Sequence, residues 1–212
     1  MEDTLLDQKL PEQSQAKAGS SAAPCSAFPP VLDACCGSRM LWFDRDNPNA
    51  IFMDKREVDE TLCDGRALKV APDIVADFTN MPFPDETFSL VVFDPPHLTS
   101  LGENSWLAKK YGRLVGDWEI EIAEGFKECL RVLKQDGTLI FKWNTTDVSL
   151  KQVLPLAPCR PLFGHTTGRQ AKTIWAAFLK REKDHPKMGA ADRAALQRGQ
   201  LQMPPACRPM SK

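Results

Sequence analysis

Five short apolar runs stand out along the chain between residues 31 and 181. Most are continuously apolar and do not alternate with polar positions, a pattern typical of central strands covered on both faces. Longer stretches of mixed polarity separate them, which leaves room for the crossover connections that parallel strands require. The pattern predicts a mainly parallel α/β sheet with these strands: VLDAC (31–35), AIFMD (50–54), DIVAD (73–77), FSLVVFD (88–94) and TLIFKWN (138–144).

An amphipathic helix and a final hairpin complete the predicted domain. Segment 117–134 spaces its large apolar residues so that they share one helical face; they are Ile122, Phe126, Leu130 and Leu133. Gly137 follows and is placed as the C-terminal cap of this helix. Segment 161–180 contains two apolar runs joined by a glycine-containing turn, which predicts an antiparallel hairpin at the sheet edge.

The two ends of the chain differ from this middle part. Residues 1–30 are rich in Gln, Ser, Ala and Pro, show no apolar periodicity and carry a net charge of −2. Residues 182–212 have two proline clusters, few large apolar residues and a net charge of +3. We predict a flexible lead-in at 1–30, one folded domain over 31–181 and a flexible basic tail at 182–212, for which solvation is favoured over a binding role.

Composition narrows the functional classes. The contents of 42% apolar and 26% charged residues are ordinary for a globular protein, and a net charge of −1 gives no overall attraction to nucleic acid. Seven cysteines without a Cys-x-x-Cys pair, and three histidines without zinc-ligand spacing, predict no metal site. The start of the chain has no apolar signal core, and no apolar run approaches the ~20 residues that span a bilayer. We therefore predict no membrane association and a reducing, cytoplasmic location.

Four of the predicted strands finish on an aspartate: Asp33, Asp54, Asp77 and Asp94. In a doubly wound sheet, ligands bind outside the carboxyl ends of the strands, near the point where the strand order reverses. A single acid of this kind is readily a helix N-cap or a solvated loop residue. Four of them predict one acidic crevice, suited to hydroxyls, amines and a cationic centre more than to phosphates.

The loop after the first strand has the character of a ligand loop. The sequence DACCGSR places small residues where a ligand must approach the backbone closely. Asp54 follows Asp33 by 21 residues, near the spacing at which an acid meets ribose hydroxyls in nucleotide-binding units. The full G-x-G-x-x-G pattern is absent, so this loop by itself is more typical of a tight strand-to-helix turn.

Taken together, these motifs resemble the class I S-adenosylmethionine-dependent methyltransferases. The resemblance covers 31–181 and rests on VLDACCG, Asp54, the segment ADFTNMPFPDETFSLVVFDPPH and the final hairpin. It implies a Rossmann-like fold, with a mostly parallel twisted sheet, a C-terminal antiparallel hairpin and helices on both faces. DACCGSRMLWFD, FDPPHL, SWLAKKYG and FKWN further resemble small uncharacterised methyltransferases of phage and bacterial genomes.

The resemblance also implies roles for individual residues around S-adenosyl-L-methionine. Asp33 and the loop residues Ala34, Cys35 and Gly37 would hold the methionine part, and Asp54 the ribose. Asp77 and Phe78 would flank the adenine. The chain departs from the family pattern in having one glycine in this loop and a short link to the second strand, which predicts a truncated or displaced first helix.

The sequence DPPH at 94–97 resembles the D/N-P-P-[Y/F/W] motif of DPPY-type amino methyltransferases. An adenine amino nitrogen is a poor nucleophile because its lone pair is delocalised into the ring. The Asp94 carboxylate and the Pro95 carbonyl can accept its hydrogens and orient it, while Pro95 and Pro96 keep the corner rigid. His97 stands at the stacking position; it can stack on a base, act as a proton acceptor, or have no direct role.

Candidate substrate contacts lie further along the chain. In the segment 105–118, Lys109, Lys110 and Tyr111 would border the target pocket, although an ordinary solvated helix start explains the segment equally well. FKWN ends the fifth strand, so Lys142, Trp143 and Asn144 are further candidates, with Trp143 equally plausible as plain core.

The predicted activity is methyl transfer to an amino nitrogen, with adenine N6 of DNA or RNA favoured. The alternatives are methylation of a protein amide or a small-molecule amine, and a catalytically weak protein of the same fold. Neutral charge and the lack of room for a separate target-recognition domain argue against a reader of duplex DNA. The expected partners are therefore a single-stranded or structured nucleic acid, or a partner protein that supplies recognition.

Overall fold

The computed structural model describes residues 28–100, 102, 105–165 and 172–181. The predicted domain at 31–181 falls largely within these ranges. The tail predicted at 182–212, almost all of the lead-in at 1–30, and residues 166–171 of the hairpin turn lie outside them.

The described chain contains nine strands and three short or medium helices. In chain order the strands are β1 (Val31–Asp33), β2 (Ala50–Asp54), β3 (Val58–Thr61), β4 (Ala67–Val70), β5 (Ile74–Val75), β6 (Phe88–Phe93), β7 (Leu133–Asn144), β8 (Phe163–His165) and β9 (Thr173–Leu179). The helices are α1 (Trp106–Tyr111), α2 (Trp118–Val132) and α3 (Leu150–Val153), and α3 continues into a 3-10 turn at Leu154–Leu156.

Seven of the strands form one sheet in the order β5-β2-β1-β6-β7-β9-β8. The pairs β1–β2, β2–β5, β1–β6 and β6–β7 are parallel, whereas β9 pairs antiparallel with both β7 and β8. The strand order reverses between β1 and β6, which creates the crevice where doubly wound sheets bind ligands. This sheet confirms the Rossmann-like fold class with a C-terminal antiparallel hairpin.

The main core lies between the sheet and α2. Ile122, Phe126 and Cys129 of α2 are fully buried against alternate residues of the central strands. Gly125 lets α2 approach closely, because an added Cβ there would lie 2.6 Å from Cζ of Phe93 and 2.7 Å from Cδ2 of Phe78. Of the predicted helical stripe, Ile122 and Phe126 are confirmed and Leu130 is partly buried, whereas Leu133 is the first residue of β7.

The opposite face of β1 and β2 is covered by the irregular connection 34–49, which contains no helix. Trp42 packs edge-on to Phe52 at a centroid distance of 4.9 Å. The Arg39 guanidinium lies 3.9 Å from the Phe52 ring centroid and donates to the Ala71 carbonyl and the Asp73 carboxylate. The predicted truncation of the first helix is confirmed, and Arg39 anchors the connection that stands in its place.

Two features differ from the sequence predictions. Strands β3 and β4 form a separate antiparallel ribbon with its own apolar cluster, inserted between β2 and β5. Gly137 is not the cap of α2, since that helix ends at Val132 and the chain passes directly into β7. Within the described residues, no helix is long and apolar enough to cross a membrane.

Candidate functional site

A cavity of about 440 Å³ opens at the carboxyl edge of the sheet, beside the reversal between β1 and β6. Its wall on one side is the loop after β1 together with the end of β2 and Phe78. The wall on the other side is the DPPH segment, α1 and the end of β7. The segments predicted for cofactor and for substrate therefore line a single cavity.

The loop after β1 is closed onto β2 by two hydrogen bonds. The Cys36 N–H donates to the Met53 carbonyl at 2.9 Å. Gly37 adopts a φ of +49°, which glycine tolerates without strain, and its N–H donates to Oδ2 of Asp54 at 2.9 Å. Burial raises the pKa of the Cys36 thiol to about 12 and that of Cys35 well above its usual range. Both thiols are therefore protonated and poor nucleophiles, so this loop supplies shape and backbone groups.

Asp54 lines the cavity with both carboxylate oxygens engaged. Oδ2 accepts from Gly37, and Oδ1 accepts from the Arg56 N–H at 3.0 Å and from its Nε at 3.3 Å. Arg56 also donates through Nη1 to the Lys109 carbonyl of α1 at 2.9 Å. Asp54 thus ties the loop, the end of β2 and α1 together around the cavity.

Asp33 differs from its predicted position. Its side chain is buried below the loop, outside the cavity wall, and accepts from Trp42 Nε1 at 2.7 Å and from the Cys35 N–H at 3.3 Å. Burial raises its pKa to about 7, against the lowering effect of these two hydrogen bonds. Asp33 therefore supports the loop after β1 from beneath and does not line the cavity, and its contact with a methionine group stays a prediction.

We predict that Asp33 makes the protein less stable as pH rises from about 4 to about 7. Across this window the folded chain retains a proton that the unfolded chain, with an ordinary pKa of 3.8, has lost. Asp33→Asn should flatten this slope in urea unfolding experiments and raise the free energy of unfolding above pH 7. The gain is at most about 4 kcal/mol, since one pKa unit is worth about 1.4 kcal/mol.

The exposed neighbour Asp44 provides the control for that measurement. Asp44→Asn should keep the wild-type slope. If Asp33→Asn also keeps it, burial of Asp33 is not the source of the pH dependence.

The side chains of Asp77 and Phe78 do not line the same cavity. Phe78 lines the cavity, whereas Asp77 lines a shallow surface groove outside it. The Asp77 carboxylate accepts from the N–H and the hydroxyl of Thr79, both at 2.9 Å, in a local turn. The structure is compatible with Phe78 against a base, and it assigns Asp77 to the turn after β5 instead of to the cavity.

Asp94 follows β6 and lies beside Lys142 of the neighbouring strand β7. Lys142 Nζ donates to Oδ2 of Asp94 at 2.6 Å. Burial raises the pKa of Asp94, and the adjacent ammonium of Lys142 opposes that effect. The candidate catalytic carboxylate is thus a largely buried group with a dedicated cationic partner.

The rest of the DPPH motif is held against α1 and β7. A Cβ at Gly112, where φ is +74°, would lie 2.9 Å from Cγ of Pro96, so the end of α1 packs closely on this corner. The His97 ring lies 6.2 Å from the Tyr111 ring and 6.3 Å from the Trp143 ring, measured between centroids. Burial, and then Lys142, lower the pKa of His97, so its imidazole is neutral at physiological pH.

The predicted substrate contacts are only partly brought to the cavity. Lys110, Tyr111 and Asn144 line it, together with Lys142. Trp143 does not: it is fully buried, and its Nε1 donates to the Val148 carbonyl, which makes it a core residue. Lys109 points elsewhere and pairs with Glu60 of the β3–β4 ribbon at 3.3 Å.

Sequence reasoning missed several residues of the site. Arg56 is the main one, since it links Asp54 to α1. Its signal was its position two residues after a strand-ending acid, where it can fold back onto that carboxylate. Lys55 also lines the cavity edge and lies 5.7 Å from the Phe78 ring centroid. Among the described residues, no group of three or more His, Cys, Asp or Glu could hold a metal ion.

No protein-family model matches the chain, and none of the curated proteins does. Similar solved structures include the PH0226 protein from Pyrococcus horikoshii, at 16% identity and TM-score 0.47, covering 72% of this chain and 81% of that one. A SAM-dependent methyltransferase from Leishmania major has 14% identity, TM-score 0.43 and coverages of 74% and 68%. A TehB-like SAM-dependent methyltransferase from Corynebacterium glutamicum has 15% identity, TM-score 0.42 and coverages of 76% and 83%. With every TM-score below 0.5, these neighbours assign neither an activity nor a substrate to this chain.

Proposed function

We propose that this protein is an S-adenosylmethionine-dependent methyltransferase that acts on an amino nitrogen, with adenine N6 of RNA or DNA as the favoured acceptor. One observation carries the proposal. The loop 34–38, Asp54 and Phe78 line the same cavity as the DPPH corner at 94–97. A cofactor held by the first group would therefore lie next to an acceptor held by the second.

The first half of the cavity suits S-adenosyl-L-methionine. Small residues of the loop after β1 allow close approach of a ligand to the backbone, and the largely buried Phe78 ring contributes an apolar surface to the cavity wall against which a purine would pack. A volume of about 440 Å³ falls in the range of ligand pockets. When bound, the cofactor would supply the methyl group of its sulfonium: the carbon–sulfur bond breaks as the carbon–nitrogen bond forms, the neutral thioether S-adenosylhomocysteine leaves, and the methylated nitrogen releases one proton to solvent.

The second half suits an amino group. The Asp94 carboxylate and the Pro95 carbonyl are two acceptors on consecutive residues, and both residues line the cavity. Accepting the two amino hydrogens would orient the nitrogen and concentrate its electron density towards the methyl group. Catalysis would then consist of positioning and electrostatics, with no nucleophilic side chain on the protein.

The surroundings support a nucleic-acid acceptor. His97 and Tyr111 present neighbouring aromatic rings in the cavity wall, which suits stacking on a base. Lys110 lies in the same wall, where a cationic group can meet a phosphate, and Lys55 and Arg56 line the opposite wall, paired with Glu121 and Asp54. Recognition of the target sequence would come from the structure of the nucleic acid or from a partner protein.

The decisive experiment is transfer of a labelled methyl group from the cofactor to separate pools of RNA, DNA and protein. Label in RNA or DNA, recovered as N6-methyladenine after digestion, would support the proposal in full. Label in protein would replace the acceptor with a side-chain amide or amine. Absence of both transfer and calorimetric binding at millimolar cofactor would exclude the enzyme and leave a binding protein of this fold.

Phe78 provides a test of the cofactor half. Phe78→Leu keeps the apolar volume next to Gly125 but removes the flat face. We expect it to weaken binding of S-adenosylmethionine about tenfold in calorimetry, because stacking of a ring on a base is worth roughly 1–3 kcal/mol. Phe163→Leu, an exposed residue of β8, is the matched control and should bind normally. Equal affinity of both variants would place the purine elsewhere.

A further inference from the structure

Lys142 is fixed on β7 by its neighbours. Phe93 of β6 is paired with Phe141 of β7, so the next residues along the two strands, Asp94 and Lys142, meet at the carboxyl edge. Lys142 also pairs in register with Trp175 of β9, and its Nζ lies 5.9 Å from that ring's centroid. The lysine side chain is therefore held over the cavity floor and is not a mobile surface group.

The groups around Asp94 disfavour its ionised form unless a cationic partner contacts it. Asp94 and Asp54 both raise the pKa of Asp33, so these neighbouring carboxyls disfavour ionising together. His97 is neutral and adds no positive charge. Lys142 is the cation that contacts Asp94, through a single hydrogen bond to Oδ2.

We propose that Lys142 is a positioning residue that acts through Asp94: by binding Oδ2 it holds the side chain as an ionised, oriented carboxylate and leaves Oδ1 to accept from the acceptor nitrogen. This inference rests on the proposed methyl transfer, since it assigns a role within that site. A protonated Asp94 would donate a hydrogen bond where the amino group needs an acceptor. Lys142 therefore decides the pH range over which the site is competent.

The sign of the expected pH effect follows from the same contacts. Burial raises the pKa of Asp94 and Lys142 lowers it, so removing the ammonium raises that pKa further. The rate depends on the ionised form, which is lost as pH falls through the pKa. In Lys142→Met, the acid limb of the rate profile should move to higher pH by about one unit, which lowers the rate on that limb about tenfold. The rate should recover at alkaline pH.

Two variants make the readout specific. Lys142→Arg keeps the positive charge and should retain a profile close to that of the wild type. Lys134→Met, the same change at the other end of β7, lies away from the cavity and should leave the profile unchanged. If Lys142→Met is poorly folded by circular dichroism, Lys142→Gln serves in its place, since its amide can still donate to Oδ2.

Direct titration of Asp94 separates this inference from the proposed activity. In protein labelled with ¹³Cγ-aspartate, the Asp94 signal is assigned from its loss in Asp94→Asn. This signal is then followed against pH in the wild type and in Lys142→Met. This also distinguishes Asp94 from Asp33, a second carboxyl whose pKa is raised by burial. A higher pKa of Asp94 in Lys142→Met supports the inference even if no acceptor is methylated. An unchanged Asp94 titration, or a rate that falls equally at every pH, overturns it.

Discussion

Asp94→Ala is expected to reduce methyl transfer roughly 100- to 1,000-fold, a loss typical of removing one key electrostatic contact to the reacting group. Alanine removes both carboxylate oxygens, so no side-chain acceptor for the amino hydrogens remains at this position. The change also leaves the Lys142 ammonium without its carboxylate partner. The measurement is initial-rate transfer of labelled methyl groups to the acceptor pool found active with the wild type.

The control for this prediction is Asp85→Ala. Asp85 is an exposed residue paired with Arg131 on the amino-terminal side of β6, outside the cavity. Asp85→Ala should leave transfer unchanged, and calorimetry should show that Asp94→Ala still binds the cofactor. Transfer by Asp94→Ala within threefold of the wild-type rate would show that the active carboxylate has been assigned to the wrong residue.

Trp143→Ala is expected to cost about 3–5 kcal/mol of unfolding free energy, as truncation of a large buried aromatic residue usually does. The indole is fully buried, stacks on Phe141 at a centroid distance of 5.8 Å and donates to the Val148 carbonyl at 2.9 Å. Urea unfolding followed by far-UV circular dichroism measures the loss. Trp143→Phe keeps most of the packing and isolates the contribution of the hydrogen bond, about 1 kcal/mol.

The half-exposed Trp106 is the matched control for this substitution. Trp106→Ala should change the free energy of unfolding by less than about 1 kcal/mol, as surface substitutions usually do. If the two alanine variants are equally stable, Trp143 is not a core residue. Because Trp143 also lies against His97, its loss should loosen the DPPH corner as well.

The order of apolar runs was sufficient to predict the architecture. The continuously apolar runs predicted the parallel central strands, because a strand covered on both faces is apolar at successive positions. The short link between Gly37 and β2 predicted a truncated or displaced first helix, and the structure has no helix in that link. The β3–β4 ribbon was not predicted, because its short runs on either side of Asp64-Gly65 carry weak apolar signals.

For the candidate site, sequence by itself determined which residues reach the carboxyl edge of the sheet. A strand that ends on an acidic residue places that residue at the carboxyl edge of the sheet. The pattern alone therefore predicted that Asp54 and Asp94 lie near each other at this edge. Sequence could not determine where each side chain points from there. The Asp33 side chain lies beneath the loop and accepts from Trp42, and the Asp77 side chain accepts from Thr79 in a turn outside the cavity.

Only the tertiary structure decided the partnerships. Lys142 meets Asp94 because β6 and β7, separated by 48 positions at this pair, lie in register in one sheet. Trp143 follows one residue later, so its side chain lies on the opposite face of the sheet, because side chains alternate along a strand. There it is buried in the core. A strand end predicts proximity to a site, while strand register and the alternation of side chains decide which residue enters it.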